Sequence, residues 1–221
     1  MKVDAVDRWL GLQERGAAVC PPSDLGKLVR AGAAITCLPV RVAATVQALD
    51  ALVSAEHDCN HRLWHLEDEA RRADAGNAHV AVVKRAIDRW NQRRNDLIER
   101  IDESALALLP VTDPAQAELA SETIGMILDR LSILSLKIRH MALIADGSGD
   151  PVVARECADK VSVLKAQRGE LADCLRRFME HALAGRRYFK VYRQFKAYND
   201  ARLNPALMQP AMPAVSTRVQ H

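Results

Sequence analysis

HVAVVKRAIDRWNQRRNDLIERIDE, residues 79–103, decides the fold. Its apolar residues Val80, Val83, Ile87, Trp90, Leu97 and Ile101 recur at steps of three, four and seven. That is the spacing of one face of an α-helix. A second line runs beside the first: Lys84, Asp88, Asn91, Asn95, Glu99 and Asp102. At about 100° per residue these six fall within roughly 80° of arc. Short carboxylates and amides held in one register mark a helix side that meets a partner surface rather than bulk water. The expectation is a polar cleft, or a buried polar network, in a helical bundle.

The totals agree. A chain of 221 residues is long enough for one domain with a substantial core and extensions. Apolar residues make up 49% and charged residues 27%, a balance that excludes a disordered chain. Aromatic residues are only 4%, and Ala and Leu are abundant, which favours helix over sheet. The net charge of +3 is too small to imply nucleic-acid binding. Five cysteines form neither a CxxC motif nor a metal-type cluster, as expected of reduced thiols in a cytoplasm. No run reaches transmembrane length, and charges stand where a signal peptide would be apolar. The expected localisation is cytoplasmic, with no membrane span.

Three parts are expected along the chain. Residues 1–34 read as an N-terminal extension: a short helix from Asp4 to Arg15, then a break at CPPSD. In an alternative reading, Val3, Val6, Trp9 and Leu10 dock on the main body as a clip. Residues 35–204 read as an all-α domain, an antiparallel bundle of about four long helices with short terminal helices. The first helix is expected from Pro39 to about Arg72 and the second to about Leu109. The third is expected from about Glu118 to Ala145, and the fourth from Pro151, capped by Asp150, to a stop at Gly185. The third helix is apolar on two nearly opposite faces, which places it centrally. No stretch carries a strand signal. The tail, residues 205–221, is rich in Pro, lacks periodicity and reads as disordered.

Several constellations stand out. Asn60, Trp64, Glu67 and Arg71 share a face of the first helix, with Asp68 at its edge. In an antiparallel hairpin this face meets Lys84, Asp88, Asn91 and Asn95. One reading is a satisfied network that fixes helix register. The other is a cleft in which Glu67, Asp88 and Glu99 are the candidate catalytic carboxylates and the cations clamp an anion. In that reading Asp88→Asn abolishes ligand binding. His57, His61 and His65 are four apart, so three of them drift by about 80° around a helix and make no tidy ligand set. With no paired Glu-x-x-His motif either, no metal site is expected.

Asp129, Arg130, Lys137 and His140 interrupt the third helix, and charges on an apolar helix are paired or functional. The segment RRYFKVYRQFKAYND interleaves aromatic residues with cations. It packs on the bundle as a helix, or it binds phosphate, a sugar nucleotide or single-stranded nucleic acid, the last being the weakest ligand class. There is no Gly-rich phosphate loop, no G-x-S-x-G and no HExxH. No cofactor is implied.

Four runs occur in one order: NHRLWHLEDEAR, KRAIDRWNQRRNDLIERIDE, SETIGMILDRLSILSLKIRHM and YRQFKAYNDARLNP. Together they resemble the bacterial family catalogued as domain of unknown function 4254, over roughly residues 45–205. The resemblance implies roles for Asn60, Trp64, Glu67, Asp68 and Arg71 in the first run. In the second it implies Lys84, Asp88, Asn91, Gln92, Asn95, Asp96 and Glu99. In the third it implies Gly125, Asp129, Arg130, Lys137 and His140, and in the fourth Lys196, Tyr198, Asn199, Asp200 and Asn204. One departure is Ile124, where the pattern has Pro. The resemblance also implies an association with glycosyltransferase and surface-polysaccharide genes, and it supplies no reaction. Two expectations follow. In one, the cleft binds a small anionic or sugar-phosphate ligand. In the other, the protein is a non-enzymatic, homodimeric accessory or scaffold in surface-glycan assembly.

Overall fold

The computed structural model describes residues 4–17, 45–194, 202, 203 and 205. Among the described residues, five helices carry the fold: α1 (Ala5–Ala17), α2 (Val46–Ala70), α3 (Asn77–Leu108), α4 (Ile124–Gly147) and α5 (Pro151–Leu183). Two two-residue strands, β1 (Glu118–Leu119) and β2 (Arg187–Tyr188), pair in parallel. The fold is all-α. No helix among the described residues is long and apolar enough to cross a membrane. Residues from Tyr192 onward form a separate unit, in which Arg202, Leu203 and Pro205 lie in turns.

Local chemistry sets the helix ends. The Thr45 side chain accepts from Ala48 N and caps α2. Asp150 accepts from Val152 N at 2.8 Å, and Pro151 stands at the first position of α5. Gly185, with φ +68°, ends that helix as the Arg186 amide turns back to the His181 carbonyl. The third long helix starts later than expected, at Ile124 rather than near Glu118, because Thr123 takes the cap and accepts from Met126 N. The expectation of no strand also fails. Glu118 N donates to Arg186 O and Ala120 N to Tyr188 O, and this tie draws the α3–α4 connection into extended chain. The same pairing makes residues 187–188 strand where a helix was one reading. The expected start at Pro39 lies outside the described residues.

Two helix hairpins build the body. In α2–α3, Glu69 meets His79, Arg62 covers Trp90 and Asn60 meets Arg94. Partner numbers rise on one helix as they fall on the other, so the pair is antiparallel. The helices α4 and α5 repeat the arrangement, joined by a short turn. Helix α4 packs against α1, α2, α3 and α5, which makes it the central element. Its Ile124, Leu128, Leu131 and Leu136 are buried with Leu49, Leu66, Ile87, Leu97, Ile101, Leu175 and Met179. Beyond that point its second apolar face emerges: Leu143 and Ile144 are exposed.

Helix α1 is part of this core. Val6 and Trp9 are fully buried, and Trp9 Nε1 donates to Asp50 Oδ1 at 2.7 Å. Gln13 Nε2 donates to the Leu128 carbonyl at 3.0 Å. Arg168 of α5 reaches Glu14, the Leu10 carbonyl and Ser135.

Candidate functional site

At the centre of the bundle a polar knot joins α2, α3 and α4. Asn60 is its hub. Its Nδ2 donates to Glu56 Oε1, to Asp129 Oδ1 at 2.9 Å and to Ser132 Oγ at 3.0 Å. Its Oδ1 accepts from Arg94 Nη1 at 3.3 Å, which fixes the amide's orientation. Arg94 Nε lies 3.8 Å from Asp129 Oδ1. Ser132 Oγ also meets His57 Nδ1 at 2.9 Å. Glu56 is fully buried. Burial first, and then the Asp129 carboxylate beside it, pushes its pKa well above the usual carboxylate range, with Arg94 opposing. Its surroundings thereby favour the neutral form of Glu56, next to the Asp129–Arg94 pair.

The knot is the inner end of a cleft. Asn60, Leu63, Trp64, Glu67, Asp68 and Arg71 of α2 line a cavity of about 420 Å³, together with Asn91 and Arg94 of α3 and Ile133 and Leu136 of α4. The spacing of the sequence stripe explains the gathering: steps of three and four on α2 put its side chains in one row, and the antiparallel partner presents Asn91 and Arg94 to that row. Trp64 stacks on His140 with ring centroids 4.4 Å apart. Arg71 is mostly exposed and pairs with Glu67 at 3.0 Å. His140 is pulled below the ordinary histidine value by burial and by the neighbouring His65. His57 and His61 are each pulled down to about 4, chiefly by burial.

Of the residues expected at a site, the structure brings Asn60, Trp64, Glu67, Asp68, Arg71 and Asn91 to the cleft, with Asp129 in the knot and His140 behind Trp64. Others lie apart. Lys84 and Asp88 pair with each other at 3.1 Å, both about half exposed, and neither lines the cavity. Asn95 and Glu99 are partly buried further along α3. Arg130 makes a two-point contact with Glu122, at 2.6 and 2.8 Å. With Lys137 it lines a separate groove between α4 and α5. Lys196, Tyr198, Asn199, Asp200 and Asn204 lie outside the described residues. No group of three or more His, Cys, Asp or Glu among the described residues is placed to hold a metal.

Residues 50–191 match the family model described as Protein of unknown function (DUF4254). The chain belongs to that family. No curated protein and no solved structure matches it. The DUF4254 span contains every residue of the cleft and the knot, and it leaves out α1 and the whole of the fourth run.

Sequence reasoning missed Glu56, Arg94 and Ser132. Glu56 stands four residues before Asn60, on the same stripe, and Arg94 stands three after Asn91. Glu56 is readable from the period once the stripe is extended by one turn, whereas Arg94, between Asn91 and Asn95 and next to Arg93, is not. Ser132 carried no signal of its own. Gly125 has a purely steric reason. A Cβ there would lie 2.7 Å from the Ile98 carbonyl oxygen and 2.9 Å from Asp102 Oδ1. Asp102, buried, accepts from Gly125 N at 2.7 Å and so holds the start of α4 on α3. Burial pushes Asp102 up to about 6, against the pull of its bonds from Thr123 and Gly125.

Proposed function

We propose that the cleft between α2 and α3 binds a small polar ligand bearing hydroxyls and one anionic group, of which a sugar phosphate is the leading class. The observation that supports this reading is the two-sided character of the Asn60 stripe. Its inner end is bonded to Glu56, Asp129, Ser132 and Arg94, while its outer end opens on a cavity of about 420 Å³. A network serving register alone would close over all its polar groups. Here Asn91, Asp68 and Glu67 face the cavity as hydroxyl partners, and Trp64, backed by His140, is an aromatic wall. Arg71 and Arg94 are the anion clamps. Arg71 exchanges its exposed Glu67 pair for the phosphate at little cost, because surface pairs are weak. The association with surface-polysaccharide genes implied by the family resemblance points to the same ligand class.

A thermal-shift screen of the full chain tests the proposal. The panel is hexose phosphates, nucleotide sugars, nucleotides and divalent cations, with Arg71→Gln, Asn91→Ala and Asp88→Asn run beside the wild type. A ligand at a hundredfold excess over Kd stabilises by about 2.7 kcal/mol, a rise of several degrees for a chain of this size. The expected result is a shift in the wild type and Asp88→Asn that is lost in Arg71→Gln and reduced in Asn91→Ala. A panel without any shift, or a shift that survives both cleft variants, overturns the assignment.

A further inference from the structure

A second cavity, of about 370 Å³, lies between α1 and α2, lined by Leu12, Arg15, Gly16, Ser54, His57, Asp58 and His61. One wall holds a buried polar atom with no partner among the described residues, His57 Nε2, on a residue only 3% exposed. The neighbours accommodate a proton on Nε2. The Arg94 bond fixes Asn60 so that its Nδ2, which can only donate, faces Ser132. Ser132 Oγ accepts from Asn60 and can give its own proton to His57 Nδ1, 2.9 Å away. In that tautomer the imidazole proton stands on Nε2, a donor with no acceptor among the described residues. A buried donor without an acceptor is destabilising, and a ligand that accepts from it relieves that cost.

The surroundings say what would satisfy it. The ring edge carrying Nε2 and Cδ2 faces Gly16, where a Cβ would stand 3.0 Å from Nε2 and 2.5 Å from Cδ2. The last turn of α1 covers that edge, and a side chain there would fill the approach. Arg15 supplies a guanidinium on the same cavity. Asp58, the one carboxylate among the lining residues, is held by Arg62 at 2.7 Å, and His61 is neutral at pH 7. A ring donor on the cavity wall, an arginine and a carboxylate already paired with Arg62 fit an acceptor of negative charge. We infer that this cavity is a binding site for a small oxyanion, such as a carboxylate or a phosphate, held by His57 Nε2–H and Arg15. The site is separate from the cleft and does not depend on the reading given to it.

Ring-nitrogen NMR of the full chain tests this directly, with inorganic phosphate and acetate as probes. The wild type shows His57 as the Nε2–H tautomer, and a saturable downfield shift of that proton accompanies anion binding. Arg15→Gln, at the rim, weakens binding by about tenfold to a hundredfold, the loss of one charge-assisted hydrogen bond. Gly16→Ala blocks the His57 response, while Arg71→Gln, in the cleft, leaves it unchanged. An Nδ1–H tautomer, a His57 signal indifferent to both anions, or a response lost in Arg71→Gln but kept in Arg15→Gln overturns the inference. Because Arg15 is exposed at the end of α1, its variant reports even if Gly16→Ala loosens that helix.

Discussion

Gly125→Ala sets two rules of helix stability against each other. In an open helix the change gains up to about 1 kcal/mol, because Ala has the better propensity. At this position the added methyl meets the Ile98 carbonyl at 2.7 Å and the Asp102 carboxyl at 2.9 Å, where ordinary contact begins at 3.4 Å. Helices α3 and α4 must part by more than half an ångström, and overpacking of that kind costs about 1–3 kcal/mol. The same separation stretches the buried bond from Gly125 N to Asp102, worth about 1–2 kcal/mol more. The net expectation is a loss of about 1–4 kcal/mol, or a Tm lower by about 2–16 °C. Gly169→Ala is the matched control: it lies within α5 with nothing inside 4 Å of the new Cβ, so it stabilises by up to about 1 kcal/mol. Urea denaturation of both variants reads the difference. Equal stability of Gly125→Ala and wild type, or a gain at both sites, refutes the steric account of the α3–α4 contact.

Two further outcomes follow from the core. Asp102 holds its proton up to about pH 6 in the folded state, against an ordinary 3.8. Between these values the folded chain binds a proton that the unfolded chain has released. This contribution to stability is therefore full below pH 3.8 and is lost as pH rises through 6, by about 3 kcal/mol in all. Asp102→Asn, which keeps an acceptor for Gly125 N, should lack that decline. Denaturation curves at pH 4 and 7 check it, and an unchanged pH dependence would count against a buried, protonated Asp102. Trp9→Ala removes a fully buried indole and its bond to Asp50, which keeps Arg8, so it should cost about 3–5 kcal/mol; calorimetry giving under 1 kcal/mol would place α1 outside the core.

The helices were legible because their residues obey one period. Ile87, Trp90, Leu97 and Ile101 repeat at helical spacing, and all four are buried. The cleft was partly legible for the same reason, since Asn60, Trp64, Glu67 and Arg71 share a period and a wall. What period cannot give is the pairing of rows across helices. Lys84 and Asp88 fit the stripe as well as Asn91 does, yet they sit beyond the cavity and satisfy each other one turn apart. Arg94 looked like one more surface arginine, and only the fold brings it to Asn60 and Asp129. Glu118 and Leu119 became strand because of a partner 69 residues away, which no local pattern records.

That strand pair gives the chain a clasp. Its hydrogen bonds tie the two ends of a segment that contains the whole of α4 and α5. Closing a free loop of about 70 residues costs on the order of 4 kcal/mol of entropy, more than two backbone bonds return. The clasp therefore cannot fasten first. It forms only once α4 and α5 have already brought its ends together, so the amides of Glu118 and Ala120 serve as a gauge of whether that hairpin is shut.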